Sequence, residues 1–212
     1  MNFGNVIIFG DSYSTFEGYV PEGYEVHYSQ AKGTGGVLSV DKTWWYQLMK
    51  ETGSNLVLND SWSGSTICYT WYHGDDCSET SSFITRLGKM IDGGFFEENK
   101  IDTVFVFGGT NDSWANSPLG EEKTEGWEKQ DLYSVLPAIY CFLDKIRATL
   151  PEARIVWLMN TELKDDITAC MKNACAKYGA HCLQLCDIDK DERHPSVLGM
   201  KQIKDQIIEF FG

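Results

Sequence analysis

Short apolar segments alternate along this chain with longer segments of helical spacing, and this alternation limits its possible folds more than any other feature. Strands are predicted at residues 5–9, 55–58, 103–107, 154–159 and 181–186. Helices are predicted at residues 44–49, 83–91, 131–150, 163–178 and 196–211. Strands that alternate with helices form parallel sheets through right-handed crossovers. We therefore expect a flavodoxin-like three-layer α/β/α sandwich with a five-stranded parallel sheet of strand order 2-1-3-4-5.

Composition and charge narrow the class of protein. The 212 residues, 42% of them hydrophobic, suit one packed domain spanning residues 1–212. The net charge of −13 would repel phosphate backbones and anionic lipid, so we expect neither nucleic acid nor a membrane as partner. No segment approaches the roughly 20 apolar residues of a membrane span, and no signal peptide is recognisable. These features predict a cytoplasmic protein.

The seven cysteines do not suggest a disulfide framework, because their number is odd. Four of them lie close together late in the chain, at Cys170, Cys175, Cys182 and Cys186. Their spacing lacks the Cys-x2-Cys knuckle of structural zinc sites. We expect these four to be small buried hydrophobes, and we expect neither a metal nor a cofactor.

Polar residues follow four of the five predicted strands. Ser12 follows the first, NDSWSGS the second at 59–65, GGTND the third at 108–112, and DERHP the fifth at 191–195. The carboxyl ends of parallel strands meet at one edge, which is where open α/β sheets place their ligands. Together these segments would supply a hydroxyl nucleophile, an imidazole base, a carboxylate and hydrogen-bond donors, which is the set that acyl transfer requires.

The order and spacing of these segments resemble the SGNH hydrolases of the GDSL esterase/lipase family. The blocks that carry the resemblance lie at residues 10–14 (GDSYS), 59–64, 108–112 and 191–195. Each block alone is a weak signal, but the four occur in the family's order and span nearly the whole chain. The resemblance implies a functional set of Ser12, Gly64, Asn111, Asp191 and His194.

Residue chemistry assigns the roles within this set. Serine is a poor nucleophile at its own pKa, so Ser12 needs His194 as general base. Asp191, three residues before the histidine, would orient the imidazole. Asp187 and Asp189 lie nearby, but only the position of Asp191 matches the family pattern.

Donors are also required for the oxyanion of the tetrahedral intermediate. By resemblance these are the backbone N–H groups of Ser12 and Gly64 and the side-chain amide of Asn111. Glycine lets the backbone approach a substrate closely, and a neutral amide donates without a charge to desolvate.

Other polar residues are expected to serve the fold. Asp11 and Asp112 would hold their loops through side-chain-to-backbone hydrogen bonds. His27, His73 and His181 have no matching partners, and we interpret them as surface or packing residues.

The sequence predicts the identity of the substrate less closely than it predicts the type of reaction. Long connections at 13–42 and 113–130 leave the carboxyl edge and would form walls or a lid of the site. Trp62 and Trp114 are candidate substrate-binding residues, because each lies within three residues of a predicted oxyanion donor. We expect an esterase acting on short acyl or O-acetyl groups, with a small molecule or a carbohydrate as carrier. The alternatives are an acyl thioesterase and a catalytically silent carbohydrate-binding or flavodoxin-like module.

Overall fold

Five parallel strands form the central sheet of the computed structural model, which describes residues 1–32 and 34–212. The strands are β1 Asn5–Gly10, β2 Asn55–Ser61, β3 Thr103–Phe107, β4 Arg154–Met159 and β5 His181–Gln184. Their order is β2-β1-β3-β4-β5, and all neighbouring pairs are parallel. The strand order and direction predicted from the sequence are confirmed.

Helices cover both faces of the sheet. They are α1 Trp44–Thr52, α2 Phe83–Asp92, α3 Phe95–Glu98, α4 Thr110–Trp114, α5 Val135–Thr149, α6 Asp165–Tyr178 and α7 Val197–Phe211. Helices α1 and α7 pack together in the core on one face, while α2, α5 and α6 pack in the core on the other. The predicted three-layer α/β/α sandwich is therefore confirmed.

Strand β1 shows why the strand segments are apolar on both faces. Ile7 and Phe9 belong to the core beneath α2, α5 and α6, whereas Val6 and Ile8 belong to the core beneath α1 and α7. All four side chains are fully buried. A strand covered on both faces needs continuous hydrophobicity rather than alternation.

The end of β1 is packed so closely that only glycine fits. A Cβ on Gly10 would lie 2.3 Å from Ser61 Oγ and 2.7 Å from Ser14 Cβ. The chain leaves the sheet directly after this residue, and the backbone N–H of Asp11 donates to the carbonyl oxygen of Phe107. This close packing fixes where the following residue, Ser12, stands relative to β2 and β3.

The predicted helix at 131–150 is interrupted. A 3₁₀ turn spans Lys129–Tyr133, Ser134 is extended, and α5 then begins at Val135. Pro137 explains the break, because it has no N–H to donate to Tyr133 and its ring would collide with that carbonyl in a continuous helix. In the observed helix Pro137 lies in the first turn, where no such donor is needed.

The shortest helices and strands were not predicted from the sequence. Helices α3 and α4 have four and five residues. Two further strands, β6 Lys190–Asp191 and β7 His194–Pro195, form an antiparallel hairpin. The predicted fifth strand ends at Gln184 rather than at Cys186. Elements this short show no recognisable period.

The cysteines behave in part as expected. All seven are free. Cys170 and Cys175 are buried, Cys182 is half-buried and Cys186 is exposed, so the expectation of a buried residue is wrong for Cys186. The described residues contain no group of three His, Cys, Asp or Glu side chains that could hold a metal ion. No helix in the described part of the chain has the length and hydrophobicity to cross a bilayer.

Candidate active site

Ser12 stands at the carboxyl edge of the sheet, directly after β1. The carboxylate of Asp11 accepts a hydrogen bond from the N–H of Tyr13 at 3.0 Å, which caps the 3₁₀ turn Ser12–Ser14. Ser12 is only 3% exposed. Its hydroxyl oxygen lies 3.0 Å from Nε2 of His194, across 182 residues of sequence. The structure thus brings the predicted nucleophile and the predicted base into hydrogen-bond contact.

His194 is presented by the hairpin of β6 and β7. The two residues of its turn, Glu192 and Arg193, have φ values of 47° and 77°. Two left-handed residues in a two-residue turn are the pattern of a type I′ hairpin, which twists in the same sense as its strands. The turn brings the carbonyl oxygen of Glu192 to 3.4 Å from Nδ1 of His194.

Asp191 lies beside His194, but its carboxylate contacts a different residue. It lies opposite His194 in the hairpin, so the two side chains share one face. Its Oδ2 accepts a hydrogen bond from the N–H of Gly35 at 2.9 Å, and no hydrogen bond joins it to His194 within the described residues. The acceptor at Nδ1 is the Glu192 carbonyl instead. Asp191 as the orienting carboxylate stays a prediction.

The nearby Asp189 has a different role. Its backbone carbonyl accepts from the N–H of Ser196, and its carboxylate accepts from the hydroxyl of the same serine. Ser196 in turn caps the start of α7 through the N–H of Gly199. Asp189 therefore fixes the beginning of α7 rather than the imidazole of His194.

His27 was interpreted from the sequence as a surface or packing residue, and the structure places it against the candidate base. Its ring stacks on that of His194, with centroids 3.6 Å apart and planes 14° from parallel. Burial, followed by the neighbouring charges of His194 and Lys32, lowers the pKa of His27 to about 4. A neutral ring therefore covers one face of the base. Only its position in the long connection after β1 could have suggested this.

Burial also governs the base itself. Desolvation is the largest influence on His194 and lowers its pKa. The Glu192 carbonyl raises the pKa, and the ammonium of Lys190 lowers it further. The net effect keeps the imidazole neutral, and so able to accept a proton, to lower pH than an exposed histidine.

The predicted oxyanion donors lie at the ends of β2 and β3. Gly64 has a φ of 82°, in the left-handed region that favours glycine. Asn111 lies in the first turn of α4, and its Nδ2 donates to the carbonyl of Ser65 at 3.0 Å. The N–H of Trp62 donates to the carbonyl of Gly10 at 3.1 Å, which ties this turn to the nucleophile block.

Arg86 of α2 joins the first two blocks and was not predicted from the sequence. It is 1% exposed and forms an ion pair with Asp60 at the end of β2. Its Nη2 donates to the carbonyl of Gly10 at 3.2 Å and to Ser65 Oγ at 3.3 Å. A buried cation with these partners holds the two loops in register. A single arginine in a helix carries no pattern that would reveal this.

The buried carboxyls serve the loops, as predicted. Asp11 accepts from Tyr13, and Asp112 accepts from the N–H groups of Ile67 and Cys68 at 2.9 and 3.2 Å. Burial raises the pKa of Asp11 to about 7 and also raises that of Asp112. The prediction of structural side-chain-to-backbone bonds is confirmed for both.

The two tryptophans predicted to contact substrate lie in different surroundings. Trp62 lies against Tyr24, with ring centroids 4.2 Å apart, and lines a cavity of about 230 Å³ together with Glu25 and Trp71. Trp114 meets the ring of His194 edge to face at 5.9 Å. Substrate contact at these residues stays a prediction.

The chain resembles known proteins over nearly its whole length. A family model described as GDSL-like Lipase/Acylhydrolase matches residues 4–211. The chain is 42% identical to a crystal structure named a GDSL-like lipase from Bacteroides ovatus, covering 98% of this chain and 97% of the other with a TM-score of 0.91. A counterpart from Bacteroides uniformis is 41% identical, with coverages of 98% and 94% and a TM-score of 0.89.

More distant structures share the fold. One is an acetyl xylan esterase from the rumen bacterium Butyrivibrio proteoclasticus, 17% identical, with a TM-score of 0.65 over 98% of this chain and 63% of that one. No curated protein matches the chain significantly. The family match over nearly the whole length and the two close relatives are decisive: this chain belongs to the GDSL-like lipase/acylhydrolase family of SGNH hydrolases and is a hydrolase of that family.

Proposed function

We propose that this chain cleaves carboxylic esters through an acyl-enzyme on Ser12. The observation that carries the proposal is the 3.0 Å contact between Ser12 Oγ and His194 Nε2 at the carboxyl edge of the sheet. A serine and a histidine at this distance can exchange a proton as the hydroxyl attacks.

The proposed reaction has two halves. Ser12 Oγ forms a bond to the ester carbonyl carbon while its proton passes to Nε2 of His194. The tetrahedral intermediate then breaks its bond to the alcohol oxygen, which takes the proton from the imidazolium and leaves. A water molecule attacks the acyl-enzyme by the same route, which releases the acid and restores the serine.

The carbonyl of Glu192 supports the tautomer that this reaction needs. A carbonyl oxygen can only accept, so at 3.4 Å it favours a proton on Nδ1 of His194. Nε2 is then left with a lone pair facing Ser12. In this proposal the hairpin turn orients the base, while Asp191 lies on the same face as a second candidate for that role.

The proposed oxyanion hole consists of the N–H groups of Ser12 and Gly64 and the amide of Asn111. Donors aimed at the developing negative charge lower the barrier by about 3–4 kcal/mol each. The amide suits the task because it stands, 2% exposed, where water competes little for its N–H groups.

The proposed substrates are esters of short acyl or O-acetyl groups, with a carbohydrate as the favoured carrier. The cavity of about 230 Å³ is lined by Trp62 and Trp71 together with two acidic residues, Glu25 and Asp76. Aromatic faces and carboxylates are the groups that recognise the apolar faces and hydroxyls of a sugar. The fold is shared with carbohydrate esterases, which is consistent with such a substrate.

Labelling with a fluorophosphonate tests the nucleophile. The wild type should be labelled on Ser12, and Ser12→Ala should lose the label while keeping its melting temperature. An unlabelled wild type would instead favour a catalytically silent module. Rates on p-nitrophenyl esters of increasing chain length, acetylated xylan, acetylated sugars and acyl-CoA then separate an esterase from a thioesterase.

A further inference from the structure

A tight loop between β2 and α2 donates hydrogen bonds to both residues proposed to form the oxyanion hole with Ser12. We call residues 70–76 the aromatic loop. Nε1 of Trp71 donates to the carbonyl oxygen of Gly64 at 2.6 Å. The hydroxyl of Tyr72 donates to Oδ1 of Asn111 at 2.8 Å. Two consecutive side chains thus reach the ends of two different strands.

These bonds close a ring. Asn111 Nδ2 donates to the carbonyl of Ser65 at 3.0 Å, and Ser65 follows Gly64 directly in the chain. The path therefore runs from Trp71 through Gly64, Ser65 and Asn111 to Tyr72, and the peptide bond between the two aromatic residues completes it. A closed ring restricts each member more than an isolated hydrogen bond does, because no bond can break without disturbing the others.

Within the ring, one N–H of the Asn111 amide has no acceptor. A carboxamide has two N–H groups and one carbonyl oxygen. In Asn111 the oxygen accepts from Tyr72, and one N–H is committed to Ser65. The second N–H is the group available to an oxyanion. Donation from Tyr72 also polarises the amide, which strengthens that remaining N–H as a donor.

The aromatic loop is itself held in place. Thr70 and Asp76 pair across its base, and the N–H of Trp71 donates to the carbonyl of Asp75 at 2.8 Å. Tyr133, from the 3₁₀ turn before α5, donates to the carboxylate of Asp76 at 2.9 Å. The aromatic loop is therefore also held by contacts that do not belong to the hydrogen-bonded ring.

Burial does not explain why the two aromatic residues lie where they do. Trp71 is 37% exposed, and Tyr72 is half-buried, so solvent could satisfy both polar groups. We propose that Trp71 and Tyr72 are positioning residues that hold Gly64 and Asn111 in the geometry of the oxyanion hole. The inference rests on the proposed function, since it concerns how that hole is oriented.

Tyr72→Phe is the main test, because it removes the hydroxyl and keeps the aromatic side chain. We expect kcat to fall about tenfold to a hundredfold, less than the loss on deleting a donor, with KM within about twofold. Trp71→Phe should lower kcat by a smaller factor. The hydrogen bond of Trp71 restrains the carbonyl of Gly64, whereas the group proposed to contact the oxyanion is the N–H of the same residue. Tyr178→Phe is the matched control, since this half-buried tyrosine ends α6 at the edge of the sheet opposite Ser12, and it should behave as wild type.

Two readouts separate positioning from simple stability. The inhibition constant of a boronic acid, which forms a tetrahedral adduct with serine, should rise across the variants in proportion to the loss of kcat/KM. In the Asn111→Ala background, Tyr72→Phe should cause no further loss of kcat, because the amide that it orients is gone. Full additivity of the two changes would overturn the inference.

Other outcomes overturn it as well. A Tyr72→Phe enzyme with wild-type kcat, or one altered only in KM, would assign the tyrosine to structure or to substrate contact. A failure of the proposed function looks different, because the wild type would then resist fluorophosphonate. Normal labelling with unchanged Tyr72→Phe kinetics refutes the positioning role alone.

Discussion

Asn111 is 2% exposed, and its amide is hydrogen-bonded at both polar ends. His194 is half-buried, and among the described residues its Nδ1 has one acceptor, at 3.4 Å. The oxyanion side is a closed network between strand ends. The base side is a hairpin with a two-residue turn, and the rings of His27, Tyr13 and Trp114 lie against its imidazole.

The difference fits what each side has to do in the proposed reaction. Oxyanion donors stabilise charge without moving, so their value depends on being fixed before the substrate arrives. The imidazole of the proposed mechanism accepts a proton from serine and delivers it to the leaving group, so its protonation state changes twice in each half-reaction.

The largest effect is expected on the rigid side. Asn111→Ala should reduce kcat about 10²–10³-fold with little change in KM, because the lost donor acts mainly in the transition state. The measurement is steady-state kinetics on a p-nitrophenyl ester, with the melting temperature as a check on folding. A loss below about tenfold would place the oxyanion elsewhere and remove the basis of the comparison.

A smaller effect is expected on the base side, from Asp191→Asn. The carboxylate contacts the N–H of Gly35 rather than the imidazole, so kcat should fall less than about tenfold. Loss of a carboxylate that holds the catalytic tautomer costs about 10⁴-fold. A decrease of that size would make Asp191 the third member of a triad. His194 would then be held by hydrogen bonds as firmly as Asn111 is.

The smallest effect concerns pH. The proposed mechanism requires neutral His194, and burial lowers its pKa, so kcat/KM should rise with pH through a midpoint below the usual histidine value of 6.5. Lys190→Gln removes a positive charge that disfavours the imidazolium, so it should move this midpoint upward by a few tenths of a pH unit, about the size of one partly screened charge. A midpoint that moves downward would show that Lys190 acts through another group.

The residues that sequence reasoning could find share one property: they stand where a strand ends. Ser12, Gly64 and Asn111 follow recognisable apolar strands, and parallel topology then requires them to meet at one edge. His194 was accessible through its own short motif, although the hairpin that carries it was too short to detect. The interruption before α5 was predictable in principle, because Pro137 is visible in the sequence.

The roles that were missed depend on contacts between distant segments. Arg86 reaches Gly10 across 76 residues, and Tyr72 reaches Asn111 across 39. Neither belongs to a periodic pattern or a local motif, and a tyrosine or arginine is common in many loops and helices. Such contacts depend on the packed fold, so one sequence does not reveal them before the fold is known.

The connection after β1 is fastened to the base hairpin on either side of the histidine. Gly35 donates to Asp191, and the hydroxyl of Tyr28 donates to the carbonyl of Pro195 at 2.9 Å. An insertion or graft in this connection would therefore shift the proposed base along with the wall of the site. Diversification of specificity, by evolution or by engineering, should proceed more freely at residues 118–130, which lie beyond Trp114 and its contact with the ring of His194.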